Sequence, residues 1–374
     1  MKKVLICILL LSLITVSAGA DEPSCSAKAM ILYEPRTGTV LAEKNADERL
    51  LVASTTKIMT ALVVLEHCSP EETVRPTAAQ AAVEGSSMYL RAGEAYTVEE
   101  LLFGLLLASG NDAALALAEH TAGSAERFAA LMNDRCAALG LRNTHFVNPH
   151  GLDDPQHYSS ARDLAVITAE AMKNETFCRI FASAQACVHG VSYQNHNKLL
   201  DCCPGCIGGK TGYTQAAGRV LVSCTERDGL RLICVTVSDP DDWNDHMKAY
   251  DDAFSRWRFV PIPSPDWGRV NVISGTASEI VLESDCPGLL TARDAGVNVR
   301  AELPRFVFAP VRAGDELGRV TVYVDGKAAA EAALYAGNGA ERDPFAALTR
   351  SERFRRGWER YCRYSRFSPY PCCF

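Results

Sequence analysis

Strand-forming sequence on either side of a long helical stretch constrains this chain more than any other feature. From Ala27 to Leu41, two apolar runs flank Glu34-Pro35-Arg36-Thr37-Gly38, and a proline and a glycine in so short a link predict a β-hairpin. Ile207 to Thr214, Arg219 to Cys224 and Leu230 to Val237 read as three more strands separated by turns, followed by a helix over Asp245 to Trp257. Between the two strand groups the pattern is helical. Ile58, Met59, Leu62 and Leu65 recur on one face, Leu101 to Ala108 is a buried-helix run, and Asp112 to His120 is a helix rich in Ala and Leu. Early strands, central helices and late strands suggest an antiparallel sheet with helices packed on it and a helical subdomain inserted between. The expected fold class is α/β, of the α+β kind.

Phe259-Val260-Pro261-Ile262-Pro263-Ser264-Pro265 ends this pattern, because proline removes backbone donors and favours extended chain. After it, Val320, Val322 and Val324 alternate with Thr321 and Tyr323 before Asp325-Gly326, which is a hairpin signal. Lys2-Lys3, an apolar run from Val4 to Val16 and the small residues Ala18-Gly19-Ala20 describe a secretory leader, shorter than a membrane span needs. The expected organisation is a signal peptide over 1–20, a main domain over 21–258, a small all-β domain over 259–340 and a basic tail over 341–374. In the tail, Arg350, Arg353, Arg355, Arg356, Arg360, Arg363 and Arg366 face only Glu352 and Glu359, while Phe354, Trp358 and Tyr361 recur at helical spacing. Such a basic, aromatic-striped helix suits an anionic membrane surface, although Gly357 weakens it. Without Lys2 and Lys3 the chain carries 36 basic against 45 acidic residues, so nothing favours a nucleic-acid partner.

Chemistry concentrates at Ser54 and Lys57. A helix starting near Ser54 puts both side chains on one face, about one turn apart, and sets the Ser54 amide where a developing oxyanion needs a donor. Serine is a weak nucleophile until a base takes its proton, and no histidine follows at helical spacing. Lys57 is the natural base, but a free lysine titrates near ~10.4, so keeping it neutral at pH 7 costs about 4 to 5 kcal/mol. Burial and a second nearby cation supply that shift together, so another cationic side chain is required close by.

Two further motifs follow in order. Ser109-Gly110-Asn111 lies about 55 residues after Ser54, and Lys210-Thr211-Gly212 about 100 after Ser109. Thr37-Gly38, Lys44-Asn45, Asp112-Ala113-Ala114, Asn148-Pro149-His150-Gly151-Leu152-Asp153, Asn195-x-Asn197 and Tyr213-Thr214 extend the match. The chain from about residue 25 to 340 resembles the D-alanyl-D-alanine carboxypeptidases, the low-molecular-mass penicillin-binding proteins, with their penicillin-binding/β-lactamase-like transpeptidase fold. Val52 replaces the proline usual two positions before the serine, and Ser159-Ser160-Ala161 replaces a Ser-Thr-Ala.

The resemblance implies that Ser54 attacks the carbonyl between two terminal D-alanines of a peptidoglycan stem peptide and that Lys57 accepts its proton. Ser109 would relay a proton to the departing D-alanine, and Asn111 would hold the substrate amide and Lys57. Lys210 would be the second cation and, with Thr211 and Thr214, would bind the terminal carboxylate beside Gly212. The amides of Ser54 and Tyr213 would form the oxyanion hole. β-Lactam antibiotics would acylate Ser54.

Two rivals remain. A class A-like β-lactamase needs a glutamate-held water, yet no glutamate lies between Glu126 and Glu170. A catalytically silent wall-binding protein has no need of the paired Ser54 and Lys57. Of 15 cysteines, Cys7 leaves with the leader, and the rest are disulfides or thiols according to habitat. Cys202-Cys203-Pro204-Gly205-Cys206 invites a zinc reading, but no second pair stands at the usual close spacing. Cys372-Cys373 could pair between chains. No cofactor and no metal is expected.

Overall fold

The computed structural model describes residues 23–263, 268–284, 286–344, 351, 352 and 355. The leader and most of the basic tail, including Cys372-Cys373, lie outside the described residues. Two compact units meet in sequence between Phe259 and Val260.

The larger unit is built on a five-stranded antiparallel sheet. Its strands are β1 (Ala29–Glu34), β2 (Thr39–Lys44), β3 (Cys206–Thr214), β4 (Gly218–Arg227) and β5 (Leu230–Val237), in the spatial order β2-β1-β5-β4-β3. The first strand lies beside the last, with Tyr33 opposite Ile233, so the sheet closes only when both ends of the unit have come together. Glu34 holds the first hairpin turn by accepting from the amides of Arg36 and Thr37.

Both faces of the sheet are covered. Val220 through Thr225 on β4 are all fully buried, and successive strand residues point to opposite faces. Val220, Val222 and Cys224 join the core with the central helices. Ser223 points the other way, bonded at 2.7 Å to His246 and 2.8 Å to Tyr250. Those residues belong to a helix over Asp242–Arg256, which begins three residues before the expected Asp245.

The helical layer has α1 (Lys57–His67) at its centre, packed against α2 (Val98–Leu106), α3 (Asn111–Ala122), α4 (Ala125–Ala138) and α5 (Ala161–Ala171). Eight consecutive residues of α1, Lys57 to Val64, are buried, so this helix is surrounded on all sides. α2 starts at a reciprocal Thr97/Glu100 capping box, which satisfies two of its free amides.

The smaller unit has a six-stranded sheet with its own core of Val270, Leu282, Val320, Val322 and Leu334. Its hairpin at Asp325-Gly326 has both turn residues at positive φ, 49° and 78°, the mirror-image turn that matches strand twist. The architecture is thus an antiparallel sheet with packed helices and an inserted helical subdomain, followed by a β-rich domain. Among the described residues, no helix is long and apolar enough to cross a membrane.

Candidate active site

Ser54 does not begin an α-helix. It sits in a single 3-10 turn, Ala53–Thr56, and the α-helix starts at Lys57. Ala53 enters the turn at φ 47°, and the hydroxyl of Thr55 donates to Val52 O at 2.6 Å to hold it. The tighter winding favours the chemistry, because residues three apart eclipse each other in a 3-10 helix. Lys57 Nζ lies 2.9 Å from Ser54 Oγ.

The Lys57 amine is fully buried and has two further partners, Asn111 Oδ1 at 2.7 Å and His150 O at 2.7 Å. The Asn111 orientation is fixed from its other end, where Nδ2 donates to Glu84 O at 2.7 Å. Both of these Lys57 partners are therefore acceptors only. A neutral amine has two hydrogens and one lone pair. With both hydrogens committed to Asn111 and His150, the lone pair is left facing the Ser54 hydroxyl. That is the arrangement of a general base.

Electrostatics favour that neutral form. Burial holds the Lys57 amine well below the usual lysine range, Lys210 pushes it further down, and only Asp112 acts against them. Lys210 is itself buried, which lowers its amine to about 7. Its Nζ donates to Ser109 Oγ at 3.0 Å and to Thr211 O at 2.8 Å. The structure thus gathers two hydrogen-bonded sets, Ser54–Lys57–Asn111 and Ser109–Lys210, with the two amines close enough to act on each other electrostatically.

The turn carrying Ser109 and Asn111 is anchored by Asp112. Its buried carboxylate accepts from Ser87 Oγ at 2.6 Å and from the amides of Met88, Leu90 and Ala113 at 3.0, 3.1 and 2.9 Å. Asn111 N donates to Ser86 O at 2.6 Å. Residues 84–90 are thus stitched beneath the turn, and Ser109 is held at φ 59°, a conformation rare for serine.

Strand β3 brings the third motif against the nucleophile. A Cβ on Gly212 would lie 3.0 Å from Val52 O and 3.1 Å from Ser54 N, so the two backbones approach closely. The Tyr213 side chain is 69% exposed at the rim. Thr211 is half-buried. The Thr214 hydroxyl is engaged elsewhere, donating to Asp153 Oδ1 at 2.8 Å and accepting from Ala217 N at 3.0 Å.

The Asn148–Asp153 block forms the back wall. A Cβ on Gly151, at φ 89°, would lie 1.9 Å from Ala53 O. Asn148 Oδ1 accepts from the amides of His150 and Gly151, which aims the His150 carbonyl at Lys57. His157 Nδ1 accepts from Val147 N at 3.3 Å, so its Nε2–H donates to Thr56 Oγ1 at 2.8 Å. Burial lowers both His150 and His157 to about 4. Sequence reasoning placed this block and Asp112 within the resemblance but assigned them no role, and it missed the Glu84 carbonyl.

The thiols near Lys210 do not converge. Cys202 Sγ donates to Lys198 O and Cys206 Sγ to Gly208 O, while Cys203 lies beside Thr225. All eleven cysteines among the described residues are free thiols.

Residues 16–241 match the peptidase S11 family, described as D-alanyl-D-alanine carboxypeptidase. Among curated proteins, D-alanyl-D-alanine carboxypeptidase DacF of Bacillus subtilis is 35% identical, covering 84% of this chain and 86% of that protein. DacC of Escherichia coli is 34% identical over 82% of both chains. Among solved structures, penicillin-binding protein 5 of Haemophilus influenzae superposes with a TM-score of 0.68 at 29% identity, covering 87% of this chain and 100% of that one. The Streptomyces K15 DD-transpeptidase gives 0.59 at 34% identity, over 62% of this chain and 99% of that one.

Proposed function

This chain belongs to the D-alanyl-D-alanine carboxypeptidase family, and from that premise we propose that Ser54 is its nucleophile and Lys57 the base that activates it. The protein is a serine-type D-Ala-D-Ala carboxypeptidase, a penicillin-binding hydrolase acting on the peptidoglycan of the cell wall. The roles of individual residues rest on the geometry of the site.

Ser54 Oγ attacks the carbonyl of the penultimate D-alanine while its proton passes to the Lys57 lone pair. The resulting oxyanion is held by the amides of Ser54 and Tyr213, the first beside Gly212 on the closely packed strand. Collapse expels the terminal D-alanine, whose amine takes a proton relayed through Ser109. Lys210 and Thr211 bind the substrate carboxylate, which favours the charged form of Lys210, and Asn111 orients both Lys57 and the substrate amide. Thr214 reaches the carboxylate only after releasing Asp153. Water then hydrolyses the acyl-enzyme. A β-lactam enters by the same attack.

The observation that carries this reading is the Lys57 amine 2.9 Å from Ser54 Oγ with its two other contacts consumed by acceptors. The test is D-alanine release from a stem pentapeptide by wild type and Ser54→Ala. Release by the wild type alone is expected. No release by the wild type would favour a wall-binding role, and rapid turnover of a chromogenic cephalosporin a β-lactamase.

The domain limits of 21–258 and 259–340, an export leader over 1–20 and attachment of the 341–374 tail to an anionic membrane surface complete the proposal. They place the enzyme at the outer face of the cytoplasmic membrane or in the wall space. Deleting Phe345 to Phe374 should release it from the membrane fraction, and unchanged partitioning would overturn the anchor.

A further inference from the structure

Away from the catalytic centre, the far ends of two helices meet in a cluster that the carboxypeptidase reaction does not use. Cys68 is the cap residue that ends α1, and His120 lies in the last turn of α3. Glu72 joins them from the following loop. One ligand atom from each, the Cys68 thiol, a Glu72 carboxylate oxygen and a His120 ring nitrogen, lies within 4.8 Å of the other two. We propose that these three side chains bind a divalent metal ion of the zinc class, with solvent completing a tetrahedral shell.

Thiolate, imidazole and carboxylate together match the donor set that zinc prefers and calcium or magnesium does not. The carboxylate is already aimed, because Ser69 N donates to Glu72 Oε1 at 2.6 Å and leaves Oε2 facing His120 Nε2 at 3.1 Å. Thr121 Oγ1 gives its hydrogen to Leu117 O at 2.8 Å, so its 3.4 Å contact with Cys68 Sγ takes the thiol hydrogen. His120 is 26% and Glu72 45% exposed, which leaves room for a water ligand. Both helices also present the negative ends of their dipoles to this point, an environment that favours a cation.

Binding requires no redox partner. The metal takes the place of the Cys68 proton, which leaves to solvent, and the His120 proton moves to Nδ1 so that Nε2 can coordinate. The effect is to fasten together the two helices that begin at Lys57 and Asn111. Cys68 lies 11 residues beyond Lys57 and His120 nine beyond Asn111, which places the site roughly 14 to 17 Å from those residues at about 1.5 Å per residue. Its role is to hold the helix pair in register, at a distance from the chemistry.

The test uses the full chain, stripped with chelator and titrated with zinc chloride by calorimetry and with cobalt(II) by thiolate absorption. Variants Cys68→Ser and His120→Ala are compared with a Cys202→Ser/Cys203→Ser/Cys206→Ser control, which removes the other thiol cluster. One equivalent is expected to bind to wild type and control, with at least a tenfold loss of affinity in each ligand variant. At a hundredfold excess over the dissociation constant, zinc should raise the melting temperature by about 5 to 10 °C in wild type and control only. If Cys68→Ser does not fold, His120→Gln at the partly exposed position carries the comparison. The proposal is overturned by an absence of saturable binding to wild type, by unchanged binding in the ligand variants, or by loss in the control alone.

Discussion

Replacing Asn111 by aspartate changes almost no volume but puts a negative charge where Lys57 must stay neutral. Asn111 Oδ1 stands 2.7 Å from Lys57 Nζ. At that separation and an effective dielectric of about 20, a carboxylate favours the charged amine by about 6 kcal/mol, or roughly four powers of ten in the neutral fraction. Burial penalises the new carboxylate and offsets part of this, as does its second oxygen, which would face Glu84 O at the 2.7 Å now spanned by Nδ2. The expected loss in Ser54 acylation at pH 7 is therefore about 10³-fold. The assay is single-turnover labelling with a fluorescent penicillin, repeated from pH 6 to 10. Because the defect is an unwanted proton, the Asn111→Asp rate should climb tenfold per pH unit across most of that range, while Asn111→Ala stays depressed and flatter. Labelling by Asn111→Asp within tenfold of wild type at pH 7, or a loss that alkali does not reverse, would refute the proton argument.

Other outcomes follow from the same geometry. Gly151→Ala drives a methyl group to 1.9 Å from Ala53 O at a φ of 89°. It should cost at least about 3 kcal/mol, and melting should fall by about 6 to 12 °C with loss of penicillin labelling. His157 is buried and lowered to about 4, so the unfolded chain takes up its proton first as pH falls. The stability it contributes is complete above about 6.5 and is lost between there and about 4, on the order of 3 kcal/mol. Urea titrations should show that slope in wild type and a shallower one in His157→Gln. Lys210 at about 7 should make kcat/KM for the carboxylate-bearing peptide decline as pH rises through neutrality. Lys210→Arg, which does not deprotonate, should move that decline upward by at least two pH units, measured by D-alanine release.

The strand-helix-strand order was readable because its signals are local: the Pro35/Gly38 turn, the apolar runs of β4 and β5, and the alternating valines before Asp325-Gly326. The Ser54–Lys57 pairing was readable for the same reason, since a three-residue spacing brings side chains together in either helix type. The 3-10 turn was not, because it depends on Ala53 at φ 47°, a conformation no local residue preference signals. Nor were the amine's acceptors. The His150 carbonyl and the Glu84 carbonyl that orients Asn111 are backbone groups delivered by loops distant in sequence, and any residue type could have supplied them. Asp112 carries a side-chain signal beside the second motif, but its partners at Ser87, Met88 and Leu90 become visible only in the folded turn. Thr214 was placed on the carboxylate, and its bond to Asp153 shows that neighbours compete for the same hydroxyl.

The most direct measurement is the charge of the Lys57 amine itself. Lysine side chains labelled with 13C and 15N, with the Lys57 resonance assigned through its disappearance in Lys57→Arg, report protonation by NMR. A neutral amine at pH 7 in the free enzyme, turning to an ammonium in Asn111→Asp, is the predicted result. An ammonium at pH 7 in the wild type, with Ser54 still acylating at full rate, would contradict the account.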